Sequence, residues 1–171
     1  GGMFYSFWTD GGGNVQMTSA TISGNGKNGD EIVTDNGGAV YVTGSGAGFM
    51  ATGEASITGN ASVQNGGALY VNGGSISLAA NSINSNKAGN GGAIYVAESG
   101  TNGGFSASGI TTMSQNEATG DGGAVYVDGG NINITGAQSE LTLSSNNAAR
   151  GGAFFVNGGS ITANNIGSAE V

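Results

Sequence analysis

A glycine doublet followed by Ala, an aliphatic, an aromatic and a second aliphatic recurs along the chain and narrows the possible folds more than any other feature. It is written NGGAVYV (Asn36–Val42), NGGALYV (Asn65–Val71), NGGAIYV (Asn90–Val96), DGGAVYV (Asp121–Val127) and RGGAFFV (Arg150–Val156). A degenerate copy, GGMFYS (Gly1–Ser6), opens the chain. The doublets start at 1, 37, 66, 91, 122 and 151, so the steps are 36, 29, 25, 31 and 29 residues. A fixed period of this length is the mark of a stacked repeat, because one such unit cannot bury its apolar face alone. The same period explains a composition that otherwise suggests disorder, with 37 glycines in 171 residues.

A second element precedes each of the later doublets: an apolar residue, two spacers and Asn. The copies are Ile22–Asn25, Ile57–Asn60, Ile83–Asn86, Met113–Asn116 and Leu143–Asn146. The last four Asn residues stand 6, 5, 6 and 5 positions before the doublet; Asn25 stands 12 before it, because Lys27–Asp35 is inserted. A third element alternates with period two, as in Ser75-Ile76-Ser77-Leu78, Asn131-Ile132-Asn133-Ile134 and Ser160-Ile161-Thr162. That is the pattern of a half-buried strand. No useful window has helical periodicity, and proline, which would remove donors from a central ladder, is absent.

Strand, glycine turn, strand and Asn turn, returning to the same strand, predict an all-β, single-stranded parallel β-helix (a β-solenoid). It has three strands per coil and about six coils, in a single domain over residues 1–171. Ile76, Leu78, Ile132 and Ile134 should face inward. In the first element two alternations are open. If Val40 and Val42 face in, Ala39 and Tyr41 face out, and the outward column runs Tyr5, Tyr41, Tyr70, Tyr95, Tyr126, Phe155. Aliphatic stacking in a narrow lumen favours this choice. An exposed aromatic stripe of that length marks a contact surface. In the other alternation the rings stack along the lumen and no such surface exists. Asn25, Asn60, Asn86, Asn116 and Asn146 are expected to form a structural amide ladder at a buried corner.

The pairing of GGA-aliphatic with x-x-Asn resembles the repeats of chlamydial polymorphic membrane proteins, bacterial autotransporter adhesins with a β-helical passenger. The GGA half matches at 37–40, 66–69, 91–94, 122–125 and 151–154. In the other half the family favours Phe first, where this chain has Ile, Ile, Ile, Met and Leu. The resemblance implies a surface-exposed repetitive β-helix used for adhesion or as cell-surface scaffolding.

Other functions are narrowed by what is missing. Without cysteine or histidine there are no disulfides or thiolate metal sites, and the usual general base is gone. Lys27, Lys87 and Arg150 are the only cations against eleven acids, for a net charge of −8. Neither nucleic acid nor an anionic membrane surface suits such a chain. No stretch has the ~20 apolar residues of a membrane-spanning helix. There is no signal peptide and no initiator Met, so a mature or excised piece is expected. The best candidate catalytic cluster is Asp121, Asp128 and Arg150, in which Asp121 and Arg150 should meet as an exposed ion pair. Asp30, Glu31 and Asp35 in the insertion could hold calcium, but a solvated acidic loop is the simpler expectation.

The expected function is therefore non-enzymatic: an extracellular or cell-surface structural or adhesive β-helix without a cofactor. Its partner would be itself, end to end or laterally, or a surface receptor or glycan. An end-to-end fibre subunit is the first alternative, with Met3, Phe4, Tyr5, Phe7 and Trp8 as the end interface. A polysaccharide-binding or polysaccharide-cleaving β-helix is the second.

Overall fold

The computed structural model of the chain describes residues 7–9, 12–97 and 104–170. Strands and short bends make up the whole of it, with no helix among the described residues. Named strands pair in parallel with the strand one repeat away, except in the insertion, where Lys27–Asn28 and Glu31–Ile32 form a small antiparallel hairpin. Parallel pairing between successive repeats makes a β-solenoid that rises one ~4.8 Å ladder step per turn.

Three walls run along it. The first stacks Phe7–Thr9, Val40–Thr43, Leu69–Asn72 and Ile94–Val96. The starts of the long strands Val125–Ser144 and Phe154–Glu170 continue it. The second and third walls begin with Asn14–Met17 and Ala20–Ser23. The strands Gly48–Thr58, Ser75–Asn84 and Gly104–Ser114 then run through both walls around a bulged corner. A short fourth ladder, Lys87–Ala88 on Glu117–Ala118, lies beside the Asn corner. The doublets at 37, 66, 91, 122 and 151 bound four full turns, with a partial turn at either end. The expectation of about six coils is thus corrected to four full turns around three walls, with a minor fourth ladder between two of the turns.

The aliphatics of the first wall line the interior. Val40, Val42, Leu69, Val71, Ile94, Val96, Val125 and Val127 are buried, while Tyr41, Tyr70, Tyr95 and Tyr126 face outward and are only partly covered. Of the two alternations, the one with the rings outside is found. Ala39, expected outside with Tyr41, is instead buried, as are Ala68, Ala93 and Ala124. The reason is local. The N–H groups of Ala39 and Val40 both donate to the Ala68 carbonyl, at 3.0 and 2.9 Å. The chain turns between them, so the in–out alternation restarts at Val40.

A second correction concerns the start of the aromatic column. The backbone register sets Trp8 opposite Tyr41, not Tyr5. Tyr41 follows its doublet by four residues and Trp8 follows Gly1 by seven. Ladder hydrogen bonds, not distance from a doublet, decide which residues stack. Met3, Phe4 and Tyr5 lie outside the described residues, so the proposed end interface is represented only by the backbone of Phe7 and Trp8.

The lumen of the second wall keeps its volume by compensation. One inward column reads Val15, Phe49, Ile76, Phe105, Ile132, Ile161, and the next reads Met17, Ala51, Leu78, Ala107, Ile134, Ala163. Turns with Phe in the first column have Ala in the second, and turns with a buried Ile there have Leu or Ile. Phe105 and Ala107 are both buried, so neither can change size freely. Ala107→Leu alone should overpack the turn and Phe105→Ile alone should leave a gap, each costing ~1–3 kcal/mol. Together they reproduce the Ile76/Leu78 turn. The double variant should recover at least about 1 kcal/mol over the sum of the two losses. Strictly additive losses in urea denaturation would reject the compensation.

Candidate functional site

The Asn corner is the most ordered polar feature. The Nδ2 groups of Asn25, Asn60, Asn86 and Asn116 donate to the Oδ1 of the next turn's Asn at 2.9, 3.1, 3.0 and 3.0 Å. The same Oδ1 atoms accept the backbone N–H of the preceding Asn at 3.0–3.1 Å. The second Nδ2 hydrogen of Asn60, Asn86, Asn116 and Asn146 goes back to the carbonyl of Ile22, Ile57, Ile83 and Met113, at 2.9–3.2 Å. Each inner amide is saturated by protein, and Asn60 and Asn116 are fully buried. Nothing is left over for a ligand at these atoms. The residue before each Asn is left-handed in every turn: Gly24, Gly59, Ser85, Gln115 and Ser145. Two copies use glycine there and three accept the strain of a side chain at φ 54–56°.

A second polar column, not recognised as a ladder from sequence, lies just before the doublets. Asn65 donates to Asn36 at 2.9 Å and Asn90 to Asn65 at 3.2 Å. Next in the column, the Asp121 backbone N–H donates to Asn90 at 3.1 Å. It ends in a two-pronged ion pair, Arg150 Nε and Nη2 to the Asp121 carboxylate at 2.8 and 2.6 Å. The Arg150 hydrogen bonds hold the Asp121 carboxyl below its ordinary range. The Arg150 side chain is exposed to water while that of Asp121 is half-buried, so the pair is screened from one side and contributes only modestly to stability. The signal was available: Asn, Asn, Asn, Asp and Arg occupy one repeat position.

The aromatic column is a continuous outward stack. Ring centroids are 4.9 Å apart for Tyr41–Tyr70, 5.6 Å for Tyr70–Tyr95, 4.9 Å for Tyr95–Tyr126 and 5.1 Å for Tyr126–Phe155. The tyrosine planes are within 8° of parallel. Ladder spacing imposes this, since rings on neighbouring parallel strands cannot be much farther apart. The Arg150 guanidinium sits 4.8 Å from the Phe155 ring centre. Tyr95 donates its hydroxyl to Asp128 at 3.0 Å, and Asn157 donates to the other Asp128 oxygen at 2.9 Å. Burial against its neighbours, and then the bond to Asp128, push the Tyr95 phenol well above its usual value. Burial does the same to Tyr70 and Tyr126, with the Tyr41 phenol and the Asp128 carboxylate respectively adding to it. The Tyr70, Tyr95 and Tyr126 phenols thus stay protonated at physiological pH.

Asp121, Asp128 and Arg150 all act on the Tyr126 phenol, but the two carboxylates have different hydrogen-bond partners. Asp121 is held by Arg150, while Asp128 is held by Tyr95 and Asn157. Glu117 pairs with Lys87 across one ladder step at 2.9 Å. Asp30, Glu31 and Asp35 are exposed around the hairpin. Among the described residues no group of three acidic side chains could hold a metal ion. No helix among them is long and apolar enough to cross a membrane.

Residues 82–97 and 110–128 match the family model of the Chlamydia polymorphic membrane protein repeat. These two stretches cover the Asn and GGA elements of two consecutive repeats, from Ser82 to Val96 and from Ile110 to Val127. The chain carries repeats of that type on a parallel β-solenoid. No curated protein and no solved structure matches it.

Proposed function

We propose that this chain is a segment of a bacterial cell-surface protein of the autotransporter-adhesin kind, and that its work is adhesive rather than enzymatic. The observation that carries the reading is the Tyr41–Phe155 stack, an aromatic strip with no charge of its own on the outer face of a rigid solenoid. Such a strip is paid for in exposed apolar area, which a soluble surface normally avoids unless it meets a partner. The match to the chlamydial repeat supports the cell-surface placement. The separate pairing of Asp121, Asp128 and Glu117 supports a non-catalytic role, because acid–base work on glycans needs two carboxyls facing one bond.

Beads coated with the chain should adhere to members of a panel of extracellular-matrix proteins and glycans. The Tyr70→Ser/Tyr95→Ser variant should lose at least tenfold in adhesion while keeping its β-type circular dichroism. Undiminished adhesion of that variant would remove the aromatic face from the reading, and failure to adhere to any surface would remove adhesion itself.

A further inference from the structure

The dipeptide Asn-Gly occurs eight times in the chain, and seven of the copies lie among the described residues. In this dipeptide the Asn side chain is open to attack by the next backbone nitrogen, because glycine puts no Cβ beside that nitrogen. The reaction still requires the nitrogen to lose its proton and swing onto the side-chain carbon. Most copies are held against it. Gly37, Gly66 and Gly91 each donate their N–H to the next turn's backbone at 2.9 Å. The Asn36, Asn65 and Asn90 side chains are tied to one another. Asn25 is buried, with its amide on Ser23 and Asn60. The Asn72 carbonyl accepts from Gly44 at 3.0 Å, and Asn157 donates its amide to Asp128.

Asn28–Gly29 has none of these restraints. Both residues are exposed, and the Gly29 N–H has no backbone acceptor among the described residues. A Cβ on Gly29 would meet no atom within 4 Å, so the peptide has room to rotate. The pair sits at the tip of the inserted hairpin, Lys27–Asn28 against Glu31–Ile32. Strands of two residues make a marginal hairpin, which opens far more readily than the stacked turns.

We propose that Asn28–Gly29 is a self-modifying site: the Asn28 amide is lost through a cyclic imide, and the carboxylate left behind loosens the hairpin. The deprotonated Gly29 nitrogen bonds to Asn28 Cγ, the Cγ–Nδ2 bond breaks, and Nδ2 leaves as ammonia. Water then adds to either imide carbonyl, and cleavage of that C–N bond gives aspartate or isoaspartate. The net change is amide plus water to carboxylic acid plus ammonia, so neither oxidant nor cofactor is needed. At neutral pH the product is a carboxylate. It stands directly opposite Glu31 and close in sequence to Asp30. Like charges facing each other across a strand pair destabilise it. Isoaspartate also lengthens the backbone inside the strand and so breaks the register. The insertion thus ages from a closed hairpin to an open acidic loop while the stacked turns stay intact. This site is separate from the aromatic stack and does not rest on the adhesive reading of it.

The test is incubation of the purified folded chain at mildly alkaline pH, read by mass-spectrometric peptide mapping and by enzymatic methylation of isoaspartate. Asn28 should convert at least about tenfold faster than Asn65 or Asn90, whose following glycine must first leave a ladder hydrogen bond. In strong urea the three should convert at similar rates. Asn28→Asp copies the product. It should speed amide exchange at Val33, whose N–H donates to Gly26 at 2.9 Å beside the hairpin, by about twofold or more. Exchange at the Asn86 amide, held in the Asn corner, should stay the same. Conversion of Asn65, Asn72 or Asn90 as fast as Asn28 in the folded chain would overturn the proposal. So would an Asn28 that reacts in urea but stays intact in the folded chain, or unchanged Val33 exchange in Asn28→Asp.

Discussion

Asn86→Ala should lower the unfolding free energy by about 4 kcal/mol, one of the two largest effects expected of a single substitution in this chain. Four side-chain hydrogen bonds end on Asn86: two accepted from the Asn60 backbone and side chain, and two donated to Asn116 Oδ1 and the Ile57 carbonyl. Alanine would strand two donors of Asn60, which is itself fully buried. Each unmet buried group costs ~1–3 kcal/mol, and no water reaches them without opening the corner. Because turns contact mainly their neighbours, the damage should be local. The stack should part between the turns of Asn60 and Asn116, broadening the urea transition. Hydrogen exchange should accelerate first at the Asn60 amide. Asn146→Ala provides the comparison, since Asn146 is only partly buried and water can replace what it loses. It should cost about 1–2 kcal/mol. Equal losses for Asn86→Ala and Asn146→Ala would mean that the ladder's burial contributes nothing.

Gly92→Ala should be at least as damaging, above about 3 kcal/mol. The two glycines of a doublet are needed for different reasons. The first, as at Gly91, is left-handed, with φ 59°. The second is not left-handed, but a Cβ on Gly92 would overlap the backbone carbonyl oxygen of Gly123 and lie 2.6 Å from that of Glu117. Both oxygens belong to the next turn's backbone, so relief requires the turns to separate. Gly152 occupies the same repeat position in the last described turn, where a Cβ would come no nearer than 3.3 Å to the Asn146 oxygen. Gly152→Ala should therefore cost less than about 1 kcal/mol. Thermal denaturation of the two variants measures the difference. Similar melting temperatures would show that close approach between turns is not what the second glycine serves.

These two positions also divide what was legible from what was not. The Asn period and the apolar residue three before it were enough to place an amide ladder at a corner, because polar groups recurring once per turn can only meet each other. The doublet was legible as a turn. Its second glycine was not, since the crowding comes from a carbonyl about 30 residues away in the chain. The ion pair of Asp121 with Arg150 was legible from their shared repeat position. Asp128 also has partners of its own, Tyr95 and Asn157, in the turns on either side of it.

The chain's own pattern determined that it would coil: strands of period two, glycine turns and a repeat too short to bury itself leave stacking as the way to hide its aliphatics. Only the stacked structure decided the phase. The backbone of Trp8 is in register with Tyr41, Ala39 turns inward, and Phe with Ala alternates with Ile and Leu along the lumen. Those outcomes depend on hydrogen bonds and volumes shared between turns. No single repeat contains that information, because half of each contact belongs to its neighbour.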